Sequence, residues 1–258
     1  MESILYRLEA GLARITLNRP KVYNSFNREM ALAFLDRLQE CADNEDIRAV
    51  YLTGAGKAFC AGQDLQEAID PEGPGITTIV QEHYNPIVRR ICELEKPVIA
   101  AINGVAAGAG ANIALACDVT IATESASFIQ AFSKIGLIPD SGGTYFLQRL
   151  IGRPKAMALA MLGDKVSATE AERIGMIYKV VADKEFETTA LGIARKLATM
   201  PTRGLGLTKR ALNLGLDNDL KTQLDIEEQL QTIAAQTEDY REGVQAFLEK
   251  RKPTFQGR

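Results

Sequence analysis

The stretch Val98–Cys117 runs 20 residues without a charged side chain, so it must be buried, in a bilayer or in a protein core. Its interior decides between the two. Asn103-Gly104 interrupts the apolar run, and Gly108, Gly110 and Asn112 follow. That punctuation reads as a strand, a tight turn and a buried helix, not as one membrane-spanning helix. The chain is therefore expected to be soluble.

The same pattern of apolar run, glycine-containing loop and helix start occurs three times. The loops are Gly54–Leu65, Asn103–Asn112 and Gly136–Thr144. Around them, Ile4–Leu8 and Leu12–Asn18 read as a hairpin turning at Glu9-Ala10-Gly11. Asn27 caps a helix in which Met30, Phe34, Leu38 and Cys41 share one face. Strands are expected at Ala49–Thr53, Pro97–Ile102, Val119–Thr123 and Ile177–Val181. A helix is expected at Gly108–Ala116, and another at Ile76–Leu94 that Pro86 must kink or split. Ser167 and Glu170 have capping-box spacing. Residues 185–250 read as helices without a long strand, so the 258 residues divide into an α/β body and a helical tail. The boundary is drawn at 200/201, with the tail a candidate oligomer surface.

Composition removes several functions. Lys and Arg number 30 against 33 Asp and Glu, a net charge of −3 that argues against a nucleic-acid surface. Cys41, Cys60, Cys92 and Cys117 lack CxxC spacing and nearby histidines, which is free-thiol usage suited to a reducing cytosol. No signal peptide is visible in MESILYRLEA. His83 is the single histidine; among Gln81, Glu82 and Tyr84 it reads as part of a solvated helix face. Cys60, between Phe59 and Ala61, reads as a buried, inert thiol.

The three loops are where chemistry is expected. Glycines at strand-to-helix turns let a ligand approach the backbone, and helix N-termini offer unpaired N–H donors. Two such loops side by side can place two donors on one oxygen, an oxyanion hole. Gly108-Ala109-Gly110 follows a strand as a dinucleotide fingerprint does, but Ile113 occupies the third glycine position. Asp140-Ser141-Gly142-Gly143 matches the nucleophile segment of chymotrypsin-like proteases, an all-β fold that this helix-rich chain does not suit. Two readings of Asp140 stay open. Pro139–Gly143 has the composition of a helix-capping turn. Alternatively, Ile135, Leu137 and Ile138 desolvate the carboxylate and raise its pKa toward the range of a general acid/base.

Taken together and in this order, the loops resemble those of the crotonase superfamily. The resemblance covers nearly the whole chain, from Leu17–Pro20 and Asn24–Phe26 through Phe59–Asp64, Asn103–Gly110, Ile138–Thr144 and Ala171–Met176. It implies an α/β fold of repeated ββα units wound into a spiral, with C-terminal helices joining subunits into trimers or hexamers. It also implies an acyl-coenzyme A thioester as substrate, with no separate cofactor and no metal. By the same resemblance, the backbone N–H groups of Gln63 and Ala109 form the oxyanion hole. Coenzyme A lies along Lys21, Val22, Ala61, Gly62, Asp64 and Leu65.

The departures matter as much. Hydratases of the superfamily carry two glutamates at positions occupied here by Asn112 and Phe132, both expected to line the pocket. Water addition needs one group to activate the water and another to handle the α-proton, so ordinary hydratase chemistry is not expected. Asp140 stands where some isomerases and chlorobenzoyl-CoA dehalogenases of the superfamily carry a working aspartate. Gly136–Thr144, Tyr84–Arg90 and Asp239–Phe247 are most similar to the branch that rearranges ring-epoxide thioesters to oxepins and shifts 3-enoyl double bonds. The expectation is an isomerase with Asp140 as its acid/base. The alternatives are a hydratase, an aryl-CoA dehalogenase, or a non-catalytic acyl-CoA-binding subunit. Gln66–Thr78, rich in Pro and Gly, is expected to form a mobile pocket wall.

Overall fold

The computed structural model of the protein describes residues 2–258. It opens with the expected hairpin, β1 (Ile4–Glu9) antiparallel to β2 (Leu12–Leu17). Ala10 and Gly11 both have positive φ, 48° and 78°, as a two-residue turn matched to strand twist requires. Helix α1 (Arg28–Asp43) starts at Asn27, whose side chain accepts the Met30 N–H. It buries Met30, Phe34, Leu38 and Cys41, the stripe marked out by their spacing.

Three strand–strand–helix turns come next. β3 (Ala49–Gly54) and β4 (Ala58–Cys60) lead to the short helices α2 (Leu65–Ala68) and α3 (Gly75–Thr78), then to α4 (Asn85–Glu93). β5 (Val98–Ile102) and β6 (Val105–Ala107) lead to α5 (Ala109–Ala116). β7 (Val119–Thr123) and β8 (Ser127–Ile129) lead through a 3-10 turn at Ala131–Ile135 to α6 (Gly143–Ile151). The body continues with α7 (Arg153–Leu162), β9 (Lys165–Ser167), α8 (Ala168–Arg173) and β10 (Lys179–Val181). Helix α9 (Phe186–Ala198) follows, and α10 (Thr202–Gly215), α11 (Leu220–Ala234) and α12 (Glu238–Leu248) form the helical tail. The uncharged stretch thus folds as β5, β6 and α5. Among the described residues, no helix is long and apolar enough to cross a membrane.

The first strand of each turn joins a six-stranded sheet ordered β1-β2-β3-β5-β7-β10, parallel except at β1–β2. The second joins a four-stranded sheet ordered β4-β6-β8-β9. This is the spiral of ββα units. Its second sheet escapes sequence reading because three-residue strands are too short to show alternation. Yet that sheet positions the site. β4, β6 and β8 are parallel neighbours, with Cys60 opposite Ala106 and Ala106 opposite Phe128, so the loops leaving their C-terminal ends lie side by side.

Both faces of the larger sheet are covered. Along β3, Val50 and Leu52 face the core shared with Phe34, Ile87 and Ile113, while Ala49 and Tyr51 face Phe186, Ala190 and Ala194 of α9. Double-sided burial is why these strands read as unbroken apolar runs. The helix expected over 76–94 is interrupted just ahead of Pro86, as the proline requires. Ile79–Tyr84 widens into a π-helical turn, closed by the Asn85 N–H on the Val80 carbonyl, and Pro86 sits in the first turn of α4. The proline ring would strike the carbonyl four residues back, and the wider turn relieves that contact. At α8 only half of the capping box forms. Ser167 accepts the Glu170 N–H, but the Glu170 carboxylate turns to Arg173 and Lys155.

Candidate active site

The first donor is set by a single β-bridge. Gln63 lies opposite Phe26, whose N–H donates to the Gly62 carbonyl and whose carbonyl accepts the Asp64 N–H. In this pattern the bridged residue turns its own N–H away from its partner. Gly62, at φ 93°, rests against the loop after β6. A Cβ placed there would come within 3.0 Å of the Ala107 carbonyl and 3.4 Å of the Ala109 nitrogen, so only glycine permits the approach. Ala109 opens α5 and its N–H has no intrahelical acceptor. Among the described residues, neither the Gln63 nor the Ala109 N–H donates to a protein acceptor. The two expected oxyanion donors therefore stand unpaired on adjacent loops. The ring of buried Phe132 lies over the same place, 3.8 Å from where a Cβ on Gly108 would project.

The rim of this loop is tied from within. Buried Asn24 donates to the Ala55 and Ala58 carbonyls at 2.9 and 2.8 Å and accepts the Arg19 N–H. Arg19 pairs with Asp64 at 2.9 Å, and Asp64 also caps α2 through the Gln66 N–H. The Asp64 carboxylate is thus an internal tie. Lys21, Val22 and Leu65 are exposed on the rim, next to Ala61, whose N–H donates to the Tyr23 carbonyl.

Asp140 stands on a loop of unusual backbone. Ser141 and Gly142 both adopt left-handed conformations, φ 52° and 76°. The Asp140 carbonyl accepts the Gly143 N–H at 2.8 Å and the Asn112 Nδ2 at 2.8 Å. Asn112 is fully buried, and its Oδ1 accepts Gln130 Nε2 at 2.7 Å. Gly143 has to be glycine, since a Cβ there would lie 2.2 Å from Asn112 Nδ2. Among the described residues, the Ser141 hydroxyl is the one other side chain that donates to the carboxylate, at 2.9 Å. It does not cap α6, whose N-terminus has no side-chain cap. The capping reading is therefore set aside. Burial pushes the Asp140 carboxyl above the usual carboxylate range, against the lowering effect of the Ser141 bond. The flanking apolar residues are themselves largely open. Ile135, Leu137 and Ile138 are 54%, 42% and 78% exposed. Val88 and Phe146 pack around the neighbouring Gly142, and Tyr84 lies close enough to feel the Asp140 charge.

The model of the enoyl-CoA hydratase/isomerase family matches residues 7–258. The chain belongs to this family. The 1,2-epoxyphenylacetyl-CoA isomerase of Escherichia coli K12 is 52% identical, over 100% of both chains. The short-chain-enoyl-CoA hydratase of Clostridium acetobutylicum is 37% identical over 98% of this chain and 97% of its own. Among solved structures, the enoyl-CoA hydratase of Bacillus anthracis superposes with a TM-score of 0.92 at 37% identity, covering 99% of this chain and 100% of that one.

Within this family member, several side chains lie elsewhere than expected. His83 is buried, not solvated, with Nε2 3.1 Å from Arg28 Nη1. Burial first, and then the Arg28 charge, hold its pKa below the usual imidazole value, favouring the neutral ring. Asn112, expected in the pocket wall, is wholly committed to Asp140 and Gln130. Cys60 is buried as expected, its thiol pushed up to about 12. Sequence reading missed Tyr84 and Gln130. Tyr84 carried a signal, standing just before Asn85-Pro86 in a segment typical of the isomerase branch, but nothing gave its direction.

Proposed function

We propose that this enzyme is an acyl-CoA isomerase that moves one proton along a thioester-linked chain through an enolate. The observation that carries the reading is the Asp140 carboxylate, with raised pKa and no helix to cap, on the loop adjoining two unpaired backbone donors. The thioester oxygen accepts the Gln63 and Ala109 N–H groups. Asp140 takes a proton from the carbon next to the carbonyl, the electron pair delocalises onto that oxygen, and the donors hold the charge that develops. Returning the same proton two carbons further along turns a 3-enoyl thioester into a 2-enoyl one. One base suffices for this.

Hydration needs a second acid or base. Asn112 and Phe132 supply none at neutral pH, since an amide is not a proton acceptor and a phenyl ring has no exchangeable proton. The 52% identity to an epoxyphenylacetyl-CoA isomerase favours ring-1,2-epoxyphenylacetyl-CoA, rearranged to oxepin-CoA, and 3-enoyl-CoAs as the substrates. Coenzyme A is assigned to Lys21, Val22, Ala61, Gly62, Asp64 and Leu65. The exposed apolar Leu212, Leu220, Phe247 and Leu248 of the tail suit burial between subunits of a trimer or hexamer.

Asp140→Asn tests the reading. It keeps shape and removes the base, so turnover of a 3-enoyl-CoA should fall by about 10²–10⁴-fold or more, with acyl-CoA binding by calorimetry nearly unchanged. Activity within a few-fold of the parent protein would show that Asp140 is not the proton carrier.

A further inference from the structure

The Gly62–Gln63 peptide is planar and trans, so its N–H points opposite its carbonyl. That carbonyl is held by the Phe26 N–H at 2.7 Å. A weak Cys60 thiol contact at 4.0 Å reaches the same oxygen, and the Asp64 N–H on the Phe26 carbonyl holds the next peptide. The main chain thus sets where Gln63 lies. The N–H at the far end of the Gly62–Gln63 peptide, the donor that must stay aimed, has no main-chain partner of its own among the described residues. The Gln63 side chain is held at both of its polar atoms. Oε1 accepts the Tyr84 hydroxyl at 2.7 Å, and Nε2 donates to Glu67 Oε2 at 3.1 Å and to the Asp64 carbonyl at 3.3 Å. Glu67 in turn accepts the Arg28 N–H with both oxygens, at 2.9 and 3.1 Å, at the first residue of α1. The tie therefore runs from a helix N-terminus through Gln63 to a tyrosine.

Tyr84 is 1% exposed and its ring stands edge-on to Phe26, centroids 6.1 Å apart. The same Phe26 bridges Gln63 through its backbone. Tyr84 also ends the π-helical turn. One extra residue in a turn rotates the downstream helix by about 100° relative to the upstream one, so the π turn sets the direction of this hydroxyl. Simple core filling does not require a hydroxyl there, because a phenylalanine has the same shape.

We propose that Tyr84 is a positioning residue for the reaction: by gripping the Gln63 side chain, its hydroxyl fixes the Gln63 N–H as the first oxyanion donor. The inference rests on the isomerase reading above, and Asp140→Asn tests that reading separately. Tyr84→Phe should lower kcat for a 3-enoyl-CoA about tenfold, the loss expected when one donor is loosened but not deleted, while KM moves little. Gln63→Leu should give a similar loss, and the double variant no more than either single one, because both break the same tie. Gln63 is half-buried, so Gln63→Leu carries the test if Tyr84→Phe fails to fold. The pH–rate profile of Tyr84→Phe should keep its midpoint and lose plateau height. Undiminished kcat, additive losses, or a shifted midpoint with an unchanged plateau would overturn the proposal, the last by showing that Tyr84 acts on Asp140. If Asp140→Asn is inactive and Tyr84→Phe is not impaired, the isomerase reading stands and this inference alone falls.

Discussion

Gln63 and Ala109 owe their positions mainly to main-chain pairing, whereas Asp140 owes its position to one buried side chain. On the donor side, β4 and β6 are parallel neighbours and Phe26 brackets Gln63 with two backbone hydrogen bonds. On the carboxylate side, two consecutive left-handed residues are stabilised from outside the loop by the Asn112 amide, itself oriented by Gln130. The difference teaches where such a fold can vary its chemistry. Donors that every enolate needs are made from peptide groups that no substitution of a side chain deletes, proline excepted. The carboxylate proposed to handle the proton is a single side chain on a loop, which can be exchanged without rebuilding the sheet.

That contrast is sharpest in Ala109→Pro. Proline is tolerated in a first helical turn and removes the N–H itself. A folded variant should lose about 10²–10³-fold in kcat, the usual effect of deleting one oxyanion donor, with circular dichroism and oligomer size unchanged. Full activity in a folded Ala109→Pro protein would mean that the thioester oxygen is held elsewhere.

Asn112→Ala probes the other side and should cost less. It strips the Asp140 carbonyl of one donor and leaves Gln130 Nε2 without its acceptor, which should lower stability by about 1–3 kcal/mol. A loop displaced by a fraction of an ångström should lower kcat by up to about 10²-fold. Thermal melts and kcat check both. A variant as active and stable as the parent would show that the loop holds itself through Gly143.

The smallest effect concerns stability in the Asp140→Asn protein. The folded pKa of Asp140 is raised by burial, so its ionisation opposes folding. The associated stability is present below the unfolded carboxylate value of about 3.9 and is lost as pH rises through the higher folded value. Asparagine carries no such penalty. Melting curves should therefore place Asp140→Asn at or above the parent at about pH 8, with the gap closing toward about pH 4. A variant clearly less stable at the higher pH would contradict burial as the cause of the shift.

What was legible in the sequence was local. Asn27 and the Met30–Cys41 stripe, the Ala10-Gly11 turn and the three glycine loops each declare themselves within a dozen residues. The pairing of Gln63 with Tyr84, 21 residues away, and of Asn112 with Gln130, 18 residues away, depends on how the turns of the spiral stack, which no local pattern encodes. His83 reads as solvated because Gln81 and Glu82 make its surroundings look wet, whereas the π turn rolls it inward. For Asp140 both the direction of the pKa shift and desolvation as its cause were legible, but the packing around its loop was not. The apolar residues next to it in sequence are largely exposed, while α4 and α6 pack against Gly142 beside it.

The most direct test of a one-carboxylate isomerase uses the unaltered protein. A 3-enoyl-CoA and crotonyl-CoA are incubated separately with it in deuterated water, and the products are resolved by chromatography and mass. A one-carboxylate isomerase gives a 2-enoyl thioester from the first substrate, carrying at most deuterium exchanged from solvent, and no added water in either. A 3-hydroxyacyl-CoA formed as fast as the double bond migrates would contradict it.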